Sequence, residues 1–518
     1  MAFTPKAWED TPSTATPITA AALADLETRV TGYALQVVPF LNAAEYGSLQ
    51  AAVDAAEAEG GYLVLEAGAT YTVSATVTVT DPCRIIGNGA TIDGAAMASG
   101  PVVAVTGDDV TLDGIRIAAP DDDQAVTFTG CDRPTAVDLV IPSCWKGITF
   151  TNCADAVAAG NDITITGTAG TAGHGILFAK SGATTASGFI FTRNAVHIGD
   201  SDWGHGIWWY GGDAATETTA SVFNGVVAQN VVEGGFGGIW GSCGQFITVG
   251  NNVIRDFYDV GIDFETCLDC NASGNVITRV RGGALASLYA SRRLTFTGNT
   301  VWTDRTTKDL GGGALPPSSS FFALLKHDGA DITITGNTFA SVGASVTGEI
   351  NLFKSGASVG VSRVTISGNH FHNGVLYALG GQSELTIEGN KWFHDFDVAE
   401  ICNYVKQTSG VLVRDNDYWQ AVDMAGSGEG YAAISIDQGN AASTPRCENV
   451  LIENNRVRNR PNTGIAVNTY NGTNATTYVV RNNLCANVYY ESTGDPASAI
   501  RTGNIKPTDN SAATVTGF

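Results

Sequence analysis

Over short stretches of this chain apolar residues fall at alternate positions, and each stretch closes on a polar or glycine step followed by asparagine. Leu294-Thr-Phe-Thr-Gly-Asn299, Ile332-Thr-Ile-Thr-Gly-Asn337, Val364-Thr-Ile-Ser-Gly-Asn369 and Leu385-Thr-Ile-Glu-Gly-Asn390 are four of eleven such segments; the asparagine recurs at 194, 230, 252, 275, 416, 455 and 483. Period-two patterning rich in Val, Ile, Thr and Phe predicts strands that bury one face. Where no insertion intervenes the asparagines stand 21 to 24 residues apart, as in 230→252→275→299 and 369→390. A fixed period of this size predicts one supersecondary unit stacked on itself. With short strands that turn repeatedly, that unit is one coil of a parallel β-helix. The asparagine is expected to adopt the left-handed backbone that turns the corner after each strand.

Two segments depart from this pattern. Residues 1–33 hold an extended, proline-punctuated lead and then Ala20-Ala-Ala-Leu-Ala-Asp-Leu-Glu-Thr-Arg-Val30, which predicts a short helix with Leu23, Leu26 and Val30 on one stripe. So short a helix is marginal alone and needs a partner. A second helix is predicted across roughly 42–59, ending at Gly60-Gly61 and followed by the strand Tyr62-Leu-Val-Leu-Glu. Residues 34–71 therefore read as a cap over the first coil, 72–490 as the coils, and 491–518 as a polar tail. A solenoid needs its open end covered.

Of the 518 residues 62 are glycine and 15% are charged, with a formal net charge of −23. That charge argues against nucleic acid or an anionic membrane as partner, since both favour a basic face. No apolar run reaches the ~18 residues of a membrane span, and Met1-Ala-Phe-Thr-Pro-Lys-Ala-Trp8 lacks the apolar core of a secretory signal. The ten cysteines are scattered, and buried thiols are the simplest reading; Cys267 and Cys270 form a lone CxxC, a weak metal or redox signal. No cofactor is expected. Asp121-Asp-Asp123 is the one carboxylate run that suggests Ca²⁺, and it reads more simply as a solvated turn.

Ser48-Leu-Gln-Ala-Ala-Val-Asp-Ala-Ala, continuing to Gly60-Gly-Tyr-Leu-Val-Leu-Glu-Ala-Gly-Ala-Thr-Tyr71, resembles the opening of pectate-lyase-superfamily proteins. With the coils that follow, the resemblance covers about residues 42–490 and implies an all-β, right-handed parallel β-helix. It is poor for function, because that superfamily holds lyases, hydrolases, epimerases and non-catalytic spikes. Phe3-Thr-Pro-Lys-Ala-Trp8, Pro12-Ser-Thr-Ala-Thr-Pro-Ile-Thr-Ala20 and Leu26-Glu-Thr-Arg-Val30 resemble the N-termini of minor tail proteins of long-tailed actinobacterial phages. This second resemblance implies a homotrimeric tail spike or fibre, attached to other virion tail proteins through residues 1–33. Such a protein assembles in the host cytoplasm and acts from the virion tail on a host-surface glycan.

Counting back from Asn252, Asn275 and Asn299 puts Trp240, Asp263 and Ser287 in one column and Ser242, Glu265 and Tyr289 in another, with Ile239, Ile262 and Leu288 as the core column. The Gly-Ile register of Gly206-Ile-Trp-Trp-Tyr-Gly adds Trp208 and Tyr210, and two Gly-His-Gly-Ile segments place His174 and His205 at equivalent corners. The resulting strip carries indole and phenol faces that stack on sugars beside carboxylates that take hydroxyls. Glycoside cleavage needs two carboxyls about 5–5.5 Å apart for retention or about 6.5–9.5 Å for inversion. Asp263 and Glu265 are the candidate pair, with Asp200, Asp202 or Glu233 as an opposite member. A lyase would draw its base from Arg279, Arg281 or His205. The bland alternatives are solvated carboxylates, corner-capping aspartates in Gly199-Asp-Ser-Asp-Trp-Gly-His205, and aromatics including Trp209 at a subunit interface. Arg292-Arg293 and the Arg456, Arg458, Arg460 run read as surface charge or inter-subunit pairing. The functional readings are thus a glycan-binding tail spike that depolymerises its ligand, a non-catalytic structural or adhesive tail protein, and, third, a secreted polysaccharide lyase.

Overall fold

The computed structural model describes residues 39–502, apart from 168–172, 183–185, 200–203, 281, 304–319, 343–347, 354–359, 396–401, 422–431, 438–446, 459–463, 469–477, 486–487 and 492–499. The helix expected within 1–33 and most of the 491–518 tail lie outside the described residues. The rest is a right-handed parallel β-helix: short strands join three sheets of 18, 16 and 15 strands, each strand pairing in parallel with its equivalent one coil on.

The first coil is covered by the helix Leu49–Glu59. Ser48 caps its N-terminus by accepting from the Ala51 N–H (3.2 Å), and Gly60 ends it with a left-handed φ of 59°. Leu49, Ala52, Val53 and Ala56 are buried on the inner face. On the outer face, Gln50 uses its amide as a short piece of strand. Its Oε1 accepts from the Thr78 N–H (2.8 Å) and its Nε2 donates to the Thr78 carbonyl (2.9 Å). Glu57 accepts from the N–H groups of Thr80 and Asp81. The edge strand Val77–Val79 therefore offers no open row of donors and acceptors to another chain.

Inside the coils, equivalent residues stack. Ile148, Ile176, Ile207, Ile239, Ile262 and Leu285 form one inward column, each fully buried. Phe339, Phe371, Trp392 and Tyr418 form another, with successive ring centroids 5.1, 3.8 and 6.0 Å apart from Phe339 onward. All ten cysteines are free and buried.

One inward column is polar. Asn161, Asn194, Asn230, Asn252, Asn275, Asn299, Asn337, Asn369, Asn390, Asn416, Asn455 and Asn483 are at most 1% exposed. From Asn161 to Asn455 each Nδ2 donates to the Oδ1 of the next asparagine at 2.8–3.0 Å. The same Oδ1 accepts the backbone N–H of the preceding asparagine at 2.8–3.1 Å. The second Nδ2 proton goes to a backbone carbonyl of the coil before, as from Asn275 to Val249 (3.0 Å). Both donors and both acceptor lone pairs of each interior amide are thereby used.

This corrects the expected role of the asparagine. The left-handed residue is the one before it: Gly160, Arg193, Gln229, Asn251, Gly274, Gly298, Gly336, Gly368, Gly389, Asp415, Asn454 and Asn482 all have φ between 55° and 70°. Glycine is common there because it takes positive φ at no steric cost. Asparagine follows because its amide satisfies the buried bend.

Asn275→Ala should destabilise the coils around it by about 4 kcal/mol, since the Asn252 donors, the Val249 carbonyl and the Asn299 Oδ1 all lose partners. Hydrogen exchange should show the protection loss centred on strands Val253–Phe257 and Val276–Val280, together with a lowered onset of thermal unfolding.

Candidate functional site

The outward face of the 16-stranded sheet carries the site. Strands Gly204–Tyr210, Gly237–Ser242, Val260–Glu265 and Gly283–Leu288 follow one another in it. With Ile207, Ile239, Ile262 and Leu285 facing inward, two columns face out: Trp208, Trp240, Asp263, Ala286, and Tyr210, Ser242, Glu265, Leu288. Stacking in register thus brings the expected indoles and carboxyls together.

The last coil differs from the count made along the chain. Leu285, not Leu288, joins the core column, and Leu288 faces out beside Glu265. The turn after Leu288 holds one more residue than the turn after Glu265, so counting back from Asn299 slips by one. Tyr289 consequently sits at a corner with φ 57°. Its ring stacks on His327 (4.7 Å between centroids, 1° between planes), and its N–H donates to His327 Nδ1 at 3.1 Å.

At the aromatic end, Trp208 and Trp240 stack face to face at 4.8 Å and 15°, and Tyr210 meets Trp208 edge-on at 5.5 Å. His174 and His205 pair in register, as the two Gly-His-Gly-Ile segments suggest. His174 Nε2 lies 2.8 Å from Thr149 Oγ1, while His205 packs against both indoles at 5.4 and 5.0 Å. Burial holds both imidazoles neutral, His174 down to about 3 (aided by Lys146 and His205) and His205 down to about 4. Gly237 takes the next place in that column. A methyl there would stand 2.9 Å from His205 Nδ1 and 3.4 Å from Trp240 Nε1.

At the acidic end, Asp263 is only 2% exposed although its column faces outward. Burial first, and then the charges of Glu265 and Asp259, push its carboxyl well above the usual carboxylate range. Glu265, less enclosed, is raised to about 7 by burial and by Asp259 and Asp213. Burial also raises Asp259, with Lys326 pulling the other way. Asp213 comes from the loop after Tyr210, which is tied to the Glu265 coil by the Thr266 hydroxyl donating to the Ala214 carbonyl (2.9 Å). Polar atoms without a partner cluster here: His205 Nδ1, Trp208 Nε1, Trp240 Nε1 and Asp263 Oδ1 are all buried and unbonded. Such a group of orphans marks a place built for water or a ligand.

The structure does not bring every candidate to this strip. Asp202, with Asp200 and Arg281, lies outside the described residues. Glu233 belongs to the 15-stranded sheet, between His197 (2.7 Å) and Arg255. Burial tends to raise its pKa, but the bonds from His197 and Arg255 outweigh that and leave it lowered. Arg279, on the same sheet, clamps both oxygens of Asp256 at 2.5 Å. Neither is an arm of the strip. Arg293 likewise pairs with Asp269 within the chain. Asp121 accepts from Ser143, and Asp123 from the N–H groups of Gly100 and Gln124. Among the described residues no group of His, Cys, Asp or Glu is placed to hold a metal ion. Sequence reading missed Asp259 and Asp213, which turns deliver to the site. It also missed Lys326, which continues the Glu265 column beyond Leu288 and is separated from it in sequence by the 304–319 insertion.

No protein-family model matches the chain, and no curated protein does. Solved structures with a similar course include the tailspike of Pseudomonas phage phi297 (13% identity, 73% of this chain and 81% of that one, TM-score 0.48). The receptor-binding domain of the Siphovirus 9NA tailspike is similar at 8% identity over 76% of this chain and 78% of that one, TM-score 0.45. DFA-IIIase from Arthrobacter chlorophenolicus A6, without its lid and in complex with GF2, is similar at 12% identity over 65% and 95%, TM-score 0.46. These likenesses concern the coiled architecture.

Because the folded pKa of Glu265 is above its ordinary 4.5, its contribution to stability is present in full below that value and lost as pH rises through about 7. Asp263 acts in the same direction. The melting temperature should therefore fall by a few degrees between pH 5 and pH 8, and Glu265→Gln should flatten that fall. A wild type whose melting temperature rises over this interval would contradict the assigned burial of the carboxyls.

Proposed function

We propose that this chain is a phage tail spike that binds a host-surface polysaccharide along the Trp208–Trp240 strip and hydrolyses it at the Asp263 and Glu265 carboxyls. One observation carries the cleavage reading. Two carboxyls two positions apart on an outward strand face are both raised, the more buried one further, with an unbonded oxygen on Asp263. A scaffold that needed only solubility would leave such groups solvated or pair them. Splitting two titrating carboxyls in this way assigns roles. Asp263, the harder to ionise, is the general acid that protonates the glycosidic oxygen; Glu265, which ionises near neutrality, is the base or nucleophile. The stacked indoles supply the apolar face on which a sugar ring lies. His205, neutral and packed against both, is a hydrogen-bond partner for hydroxyls.

The tail-spike part of the reading is supported by the resemblance of residues 3–30 to phage minor tail proteins. Under it, the chain forms a homotrimer and attaches through residues 1–33, with the coils facing the host. A second reading, a spike that binds without cleaving, is favoured by the 2% exposure of Asp263, because substrate must displace whatever covers that oxygen. The lyase reading loses Arg279 as a base, since its guanidinium is engaged by Asp256.

The test is the size distribution of purified actinobacterial envelope polysaccharide after incubation with wild type, Asp263→Asn and Glu265→Gln. Wild type should fragment it and either substitution should slow fragmentation by at least about 100-fold, with retention of the polymer unchanged. Fragmentation by all three would remove these residues from the chemistry. A polymer retained but never shortened would leave the non-cleaving spike.

A further inference from the structure

A second site lies on a different face, formed by the outward columns of the 15-stranded sheet. Strands Thr338–Ser341, His370–His372, Lys391–His394, Asp417–Gln420 and Arg456–Arg458 stack there in register. One outward column reads Thr338, His370, Lys391, Asp417, Arg456, and the column two residues on reads Ala340, His372, Phe393, Trp419, Arg458. Between them runs a groove of about 400 Å³.

The aromatic members form a graded platform. His372 and Phe393 lie 5.2 Å apart, Phe393 and Trp419 4.9 Å, and the Arg458 guanidinium sits 5.4 Å from the Trp419 ring centre. Trp419 is 45% exposed, which for so large an apolar side chain is unusual. The core has no use for this surface, because the inward column of Phe371, Trp392 and Tyr418 is complete beneath it. Asp417 fixes the position of Arg458 over the indole by accepting at 2.7 and 3.2 Å.

Charge narrows the occupant. The chain as a whole carries −23, yet this groove is lined by Lys391 and Arg458 with His370 and His372 against Asp417, and Arg456 stands next in the first column. A cationic patch on an acidic protein complements an anionic ligand and repels little else. An exposed ring flanked by cations suits a saccharide that offers a C–H face and an acidic substituent together. The coil repeat of ~4.8 Å also lets a chain of sugars lying along the axis meet one rung after another.

We propose that this groove is a non-catalytic binding site for an acidic polysaccharide, with Trp419 as the stacking platform and Arg458 and Lys391 as anion contacts. It would hold the spike on an anionic surface polymer independently of cleavage at Glu265. The two sites lie on different sheets, so a ligand can remain anchored at one while the other turns over.

The experiment uses the full chain carrying Glu265→Gln, so that cleavage cannot deplete the ligand. Retention on immobilised polygalacturonate, hyaluronate and polyglycerol phosphate is measured against dextran and pullulan, at low and high salt. At least one acidic polymer should be retained at least tenfold better than both neutral ones, in a salt-sensitive way. Trp419→Ala and Arg458→Gln should each reduce that retention at least fivefold with circular dichroism unchanged, while Trp419→Tyr should restore most of it. Equal retention of acidic and neutral polymers, or no loss in either variant, would overturn the proposal. So would a change in sedimentation state on Trp419→Ala, which would make the face an interface between copies. Failure of Asp263 or Glu265 to matter for cleavage bears on the other strip and leaves this readout intact.

Discussion

In a parallel β-helix every residue sits directly above its equivalent on the coil before, so a column is either satisfied along its whole length or wrong along its whole length. The buried asparagines are where this constraint is most demanding. Twelve polar side chains lie inside a hydrophobic shaft, each amide bonded to the next and to the backbone of the coil behind. An amide is suited to this because its donors and acceptor point in opposite directions and so propagate along a stack. Where the column continues toward the N-terminus without asparagine, Leu139 takes its place and its N–H still closes on Asn161 Oδ1 (3.0 Å). The ladder fixes the bend that sets each coil on the last, and everything outside depends on that register.

The same stacking rule governs the surface, with different outcomes on different faces. At one left-handed corner, Asp269, Arg293, Asp331 and Arg363 succeed one another, so each charge lies against an opposite one. The pairs Asp269–Arg293 and Asp331–Arg363 are bidentate. On the 15-stranded sheet, Glu233 and Asp256 are neutralised by Arg255 and Arg279 in the same manner. Around Asp263 the rule is broken. Asp259, Asp263, Glu265 and Asp213 converge with Lys326 as the cation whose charge acts on Asp259, and burial with these charges makes Asp259, Asp263 and Glu265 resist ionisation. A fold that pairs these acids with arginines on other faces and leaves a buried cluster unpaired here concentrates electrostatic strain at this place, as functional sites do.

Much of the fold and part of the site can be read along the chain. The 21–24-residue period and the alternation of apolar positions determine a stack of short strands, because no other arrangement buries one face of so many in succession. The same period places Trp240 beside Asp263, since the turns after Ser242 and Glu265 are equally long, and the repeated Gly-His-Gly-Ile puts His174 next to His205 although 31 residues separate them. Tyr289 and Leu288 were misplaced because one extra residue in a turn shifts a count but not a hydrogen-bonded register. Glu233 and Arg279 are equally acidic or basic in sequence wherever they point. Only the sheet to which they belong, and the partners it gives them, removes them from the strip.

What the sequence determined by itself is therefore whatever repeats: strands, coils and the facing of columns between turns of equal length, whereas the inward asparagine ladder came from the tertiary structure. What only the tertiary structure decided is whatever interrupts the repeat. The loop after Tyr210 carries Asp213 to Glu265, the turn just before Val260 adds Asp259, and the insertion before Ser320 separates Lys326 from the strip. Burial of Asp263 depends on what lies over its strand, not on the residues along it. Periodicity is a local property that sequence records directly, whereas the pKa of a carboxyl is set by neighbours brought from many residues away.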